Sequence, residues 1–262
     1  MASKKKKIIS KVKIKLILTL IVIITVLAAF VFLLYSARKR LFTANRHFTI
    51  RKVLVKSGGW WKNRVDKVSD ILNFEKGKTN LFSLDYSDAR DKLIQEPSIE
   101  DVFIYKCLPD TLVIEIVERI PRAFLKFKHS NYVVDGNSII MPANTCVNLD
   151  EELPVINDLS TKKFLPGRKL NEVNGALKLL DEMGKTLKRI KVIRISLKKK
   201  KIYNTIIYDR KAKRKYNVLL ARDKVPECFS DLDKLLNNIK NGNSKKGAQT
   251  INLSYKGLAF VK

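Results

Sequence analysis

The residues best suited to bond-making chemistry are two histidines and three cysteines among 262 positions, and none stands in a pattern that would use it. An imidazole that binds metal or moves protons needs thiols or carboxylates gathered around it. Neither His47 nor His129 has a Cys, Asp or Glu at ligand spacing, so both read as surface histidines. Cys107, Cys146 and Cys228 form an odd, scattered set with no CxxC spacing, which argues against a metal centre or redox motif. Two readings of them stay open: one pair forms a disulfide if the domain lies outside the cytoplasm, or all three are small buried residues. Asp209 and Asp223 flank basic strands and read as surface ion pairs. Gly58-Gly59 is too short to cradle a phosphate, and neither GxGxxG nor a Walker motif is present. No catalytic, cofactor or metal site is expected, and the chain does not read as an enzyme.

What stands out instead is charge. Lys and Arg number 53 against 25 acidic residues, a formal charge of +28. Seven lysines fall in the first 15 residues, leaving 46 basic and 25 acidic residues after the uncharged stretch that follows. Such a surplus is either a solvated surface or one that meets anionic lipid, nucleic acid or anionic wall polymer. The runs 198–201 and 211–215 lie at expected hairpin tips, without the interleaved aromatics that stack bases, so nucleic acid is not expected. A membrane-tethered binder of an anionic polymer remains the rival reading of the whole chain.

These residues are carried by a tethered chain. Leu16 to Tyr35 runs LILTLIVIITVLAAFVFLLY without a charge, long enough as a helix to cross a hydrocarbon core of about 30 Å. Thr19 and Thr25 can return their hydroxyls to carbonyls one turn back. A cleaved signal has a shorter apolar region and small residues at its end. This run ends in bulky Leu33, Leu34 and Tyr35 and is followed by Arg38, Lys39 and Arg40, so it reads as an uncleaved anchor. Seven lysines before the helix outnumber the four basic residues of 36–50, which puts the N-terminus in the cytoplasm and the rest outside.

Beyond the anchor, 48–55 reads as a strand closed at Ser57-Gly58-Gly59. A helix follows with Val65, Val68, Ile71 and Leu72 at helical spacing and Asn63 with Asp66 as a cap pair. Trp60-Trp61 sits either at the membrane interface or, by default, as a cap to that helix. After Gly77 comes a second helix capped by Asp85 and Asp88, bearing Tyr86, Ala89, Leu93 and Ile94, and ending before Pro97. Strands at 102–106 and 111–118 complete a strand-helix-helix-strand-strand unit, with Leu112, Ile114 and Ile116 on one face and Glu115 on the other. Past Pro121 the pattern gives strands near 123–128, 131–134 and 138–141, then a helix over 171–183. Strands near 189–197, 201–208 and 214–221, a helix from Pro226 to Ile239, and strands at 250–255 and 258–261 follow. The class is α+β, with a second domain that is mostly antiparallel β and has two helices.

Pro109 to Ala123, PDTLVIEIVERIPRA, resembles the P-x-T-L-x-I-x-V-x-E-R-x-P-x-A signature of the FtsQ/DivIB family of bacterial division proteins. The matches are Pro109, Thr111, Leu112, Ile114, Glu118, Arg119, Pro121 and Ala123. Gly77–Asp85 (GKTNLFSLD) is similar to the family's G-x-N-L-F-x-L-D, 97–104 to its P-x-V-x-x-V, 153–156 to its L-P-x-I, and INLSYKGLAFVK to its closing D-L-R-Y-x-x-G-x-A. Asn252 and Ser254 depart from that last motif, Ala221-Arg222 stands where Leu-Gly is usual, and Gly136 follows Asp135 directly.

The resemblance implies a cytoplasmic basic tail (1–15), a transmembrane helix (16–35), a juxtamembrane linker (36–47), a POTRA domain (48–120) and a C-terminal β domain (121–262). It implies a structural role for the signature, with Glu118 and Arg119 as an ion pair at the domain junction. It also implies a septum-enriched, single-pass protein of the bacterial cytoplasmic membrane that makes and breaks no bond. Such a protein links early division proteins to the FtsB/FtsL pair and through them to the septal peptidoglycan synthases, with other division components meeting the POTRA domain and anchor. The last strands of the second domain would offer the partner edge, with Tyr255, Gly257, Leu258, Ala259 and Phe260 at the contact.

Overall fold

A computed structural model describes residues 2–127, 130–146, 149, 153–161, 163–199, 201–223, 225–239, 249–255 and 258–261. The first helix, α1, runs Ala2–Arg38 and contains the uncharged run, whose side chains are exposed throughout. It is long and apolar enough to cross a membrane. Within it Thr19 and Thr25 donate their hydroxyls to the carbonyls of Lys15 and Ile21, one turn back, as expected from the sequence.

The strands β1 (Lys52–Lys56), β2 (Ile99–Cys107) and β3 (Thr111–Glu118) form a sheet in the order β1-β3-β2. Alternation along β3 buries Leu112, Ile114 and Ile116 and leaves Glu115 exposed, so the period of two seen in the sequence is realised. Helices α2 (Val65–Leu72) and α3 (Tyr86–Ile94) come between β1 and β2. Val68 and Leu72 are buried on α2, Ala89 and Leu93 on α3. Asp85 caps α3, its Oδ1 accepting from the N–H groups of Ser87 and Asp88. The expected Asn63 cap of α2 is not formed. Asn63 takes a left-handed conformation (φ 59°) and donates its N–H to the Val55 carbonyl, closing the turn ahead of the helix instead. Gly77, at φ 86°, needs glycine, and its N–H returns to the Ile50 carbonyl.

The remaining strands make one sheet of nine. They are β4 (Pro121–Phe127), β5 (Ser130–Asp135), β6 (Ile140–Pro142), β7 (Val155–Asn157), β8 (Ile190–Ser196), β9 (Ile202–Asp209), β10 (Arg214–Ala221), β11 (Gln249–Tyr255) and β12 (Leu258–Val261). Their order is β12-β11-β10-β9-β8-β7-β4-β5-β6. Five neighbouring pairs are antiparallel. Three are parallel. The parallel pairs β7-β8 and β10-β11 are those whose strands are separated by a helix, α4 (Asn174–Thr186) and α5 (Val225–Ile239), because a parallel return needs a long crossover. The α4 segment begins with a 3-10 turn at Asn171–Val173, which the sequence pattern merges into the helix. Ile156, Leu179, Met183, Ile195, Ile207, Val218, Leu232 and Ile251 belong to one buried cluster.

By density of contacts the chain forms two compact units. One comprises Met1–Leu54, Val65–Ala89 and Ile104–Ile114, the other Val55–Arg64, Arg90–Phe103 and Glu115–Lys262.

Candidate functional site

An open sheet edge is a ready acceptor for another chain, because its outward N–H and C=O groups lack partners. The nine-stranded sheet has two ends, and they are treated differently. At one end β6 is three residues long and stops at Pro142. Its neighbourhood is covered by a return of the chain: Gly167 donates to the Ile140 carbonyl, Ile140 to that of Arg168, and Leu170 to that of Ser138. At the other end β12 is the terminal strand of the order. It pairs antiparallel with β11, matching Ile251 with Val261, Asn252 with Phe260 and Tyr255 with Leu258, with an irregularity between Asn252 and Tyr255. Tyr255, Leu258, Ala259 and Phe260 therefore lie on the last two strands, where the sequence reading puts them. Gly257 lies outside the described residues.

The signature residues occupy a different place and do structural work. Pro109 lies in the β2–β3 turn, Thr111 opens β3, and Leu112 is fully buried within it. The expected ion pair between Glu118 and Arg119 is not made. Glu118 accepts from the backbone N–H of Trp60 (2.8 Å) and of Trp61 (2.8 Å), and from the Ser57 hydroxyl. Its carboxylate thus fills the turn that follows β1. A Cβ on Gly59 would run into that carboxylate, so a larger residue there must displace it from these donors. Trp61 is buried and donates its ring N–H to Ser98 (2.9 Å), while Arg64 stacks 3.8 Å over Trp60. The tandem tryptophans belong to the fold of this turn, in agreement with their default reading as a cap.

Arg119 looks the other way. Its guanidinium donates to Asp135 (3.0 Å), and its backbone N–H to the Ser98 carbonyl. Asp135 is buried and also accepts from the N–H groups of Asn137 and Ile139, which fixes the β5–β6 turn. Pro121 does not merely stop a strand but begins β4.

Two further readings are corrected. Asp209 is no surface residue: it is buried, paired with Arg189 at 3.0 Å, and accepts from the N–H groups of Lys211 and Ala212 in the β9–β10 turn. Cys107 is exposed and Cys146 half-buried, and both are free thiols. Burial pushes the Cys146 thiol up, away from the reactive thiolate. His129 and the side chain of Cys228 lie outside what is described. Among the described residues no group of His, Cys, Asp and Glu could hold a metal ion.

The domain around the first sheet can now be compared with known families. The family model described as "POTRA domain, FtsQ-type" matches residues 62–119, which span α2, α3, β2 and β3. Residues 62–119 are an FtsQ-type POTRA domain. Three curated relatives carry the name Cell division protein FtsQ. The protein of Syntrophotalea carbinolica is 29% identical over 107 residues, 40% of this chain and 37% of that one. That of Corynebacterium glutamicum is 31% identical over 78 residues, 29% of this chain and 35% of that one. That of Novosphingobium aromaticivorans is 40% identical over 57 residues, 22% of this chain and 18% of that one. The matches thus span well under half of each relative's length. The resemblance to the FtsQ/DivIB family drawn from the sequence is borne out. A single apolar N-terminal helix ahead of this POTRA domain is compatible with a single-pass membrane protein.

Proposed function

We propose that this chain is a non-enzymatic scaffold of the division machinery, tethered by residues 16–35, with the POTRA domain over 48–120 and a partner-binding β domain over 121–262. The observation that carries the reading is the asymmetry of the nine-stranded sheet: the β6 end is covered by chain, and β12 is left terminal. A partner segment would add to β12 as a further strand, main-chain hydrogen bonds supplying affinity and alternate side chains specificity. The FtsQ-type domain and the three relatives named as cell division proteins support the context. In that context the partner is an FtsB/FtsL-like pair outside the cytoplasmic membrane, and the chain links it to early division proteins and to the septal synthases.

Tyr255 is the residue to test. Tyr255→Ala in the full-length protein is expected to reduce co-purification of an FtsB-like partner about tenfold or more, as loss of an interface tyrosine anchor does. Unchanged recovery would remove Tyr255 from the interface. The rival reading, a binder of anionic polymer, predicts steep loss of binding with added salt, whereas strand addition predicts a shallow dependence.

A further inference from the structure

The ten residues after α1 do not hang free. A π-helical turn, Lys39–Thr43, continues from α1, and a 3-10 turn, Arg46–Phe48, follows it. Asn80, itself buried, donates its side-chain amide to the carbonyls of Phe42 (3.0 Å) and Asn45 (2.8 Å). Its Oδ1 accepts from the Phe82 N–H (2.7 Å), and Leu81 donates to the Phe48 carbonyl. Phe42, Phe48 and Phe82 then meet as a ring cluster with centroids 5.0–5.9 Å apart. Lys106 adds its ammonium over Phe82 at 4.9 Å. The Asn-Leu-Phe of GKTNLFSLD thus grips the chain within seven residues of Tyr35.

Around this grip the surface is basic and partly apolar. Arg38, Lys39, Arg40 and Arg46 are exposed, as are Leu41 and Phe42. From Ser36 to Arg64 the sequence has nine basic residues and no acidic one, and the first acidic residue of the whole chain is Asp66.

We infer that the Lys39–Phe48 segment, clamped by Asn80 and Phe82, is a collar that binds anionic phospholipid headgroups of the leaflet where α1 emerges and seats the POTRA domain on the bilayer. The occupant follows from the chain itself. The collar directly continues a helix long enough to span the hydrocarbon core, so the nearest surface to it is that leaflet. Guanidinium groups pair with phosphate, and exposed Leu41 and Phe42 suit the acyl boundary. The inference rests on residues 16–35 spanning a membrane, but not on what β12 binds.

The test uses the full chain in nanodiscs, with Cys146 and Cys228 replaced by Ser and a donor dye on exposed Cys107, the neighbour of Lys106. Energy transfer to a headgroup acceptor is compared between discs of phosphatidylcholine alone and discs containing phosphatidylglycerol. Transfer is expected to rise with phosphatidylglycerol. It should fall in Arg38→Gln/Arg40→Gln/Arg46→Gln, since each charge changes the docked-to-undocked ratio about fivefold. Asn80→Ala should lower transfer in both lipids by releasing the clamp, while tryptophan fluorescence confirms that the Trp60-Trp61 turn is intact. Equal transfer in both lipids, unmoved by the triple substitution, overturns the collar. Release of the chain from proteoliposomes by alkaline extraction would instead sink the membrane-spanning reading on which it rests.

Discussion

At the scale of single residues, Glu118 decides how the turn after β1 is built. Removing its carboxylate leaves the N–H groups of Trp60 and Trp61 without acceptors, at a cost of about 2–3 kcal/mol. Glu118→Ala should therefore lower the denaturation midpoint of the soluble part, and Gly59→Ala should do so as well, by displacing the same carboxylate. A Glu118→Ala midpoint equal to that of the unaltered chain would show that these bonds contribute nothing net. The Glu-Arg pair was recognisable in the sequence as a signature, but its partners were not. Adjacent residues at the end of a strand point to opposite sides, so Glu118 and Arg119 could not readily pair with each other. Their real partners lie 57 and 16 positions away, at Trp61 and Asp135, a separation that no local pattern encodes. Asp209 was misread for a related reason: a carboxylate among basic strands resembles a surface residue until the turn it caps folds around it.

Elements were more legible than side-chain partners. The strands Thr111–Glu118 and Arg214–Ala221 fall where alternation puts them, because each has one face in a core. The short strand Val155–Asn157 has no alternation to betray it and is defined only by its neighbours β4 and β8. The first strand was expected from 48 but begins at Lys52, since Thr49 is held in a lone bridge to Asn80. Between β7 and α4, Glu172 ties the loop to the helix by accepting from the N–H groups of Ser160 (2.6 Å) and Thr161 (3.3 Å) and from the Thr161 hydroxyl (3.1 Å). Burial opposes its ionisation, but the donors of Ser160 and Thr161 outweigh it and hold its pKa below the usual glutamate value. A carboxylate with a depressed folded pKa stabilises fully above its unfolded value, and that contribution disappears as pH falls through the folded value. The difference in denaturation midpoint between the unaltered chain and Glu172→Gln should therefore be constant near neutrality and shrink in acid, below the ordinary glutamate range. A difference that does not change with pH would contradict the tie.

At the scale of the whole molecule, one long apolar helix, one FtsQ-type POTRA domain and a nine-stranded sheet with chain returned along its β6 end make a set consistent with the proposed scaffold. In the proposed tethered arrangement the charge that dominates the composition gains a local meaning near the membrane, where eight basic residues follow α1 before any acid appears. The proposed partner edge is suggested by the closing motif, yet which strands end the sheet depends on strand order, and strand order is set by the helical crossovers rather than by any one strand. The proposed role places this chain at the division site. It is tested most directly by a functional fluorescent fusion of the full chain imaged in dividing cells of its own species. A band at midcell that appears as constriction begins is the expected result; uniform signal around the membrane through division would rule that role out.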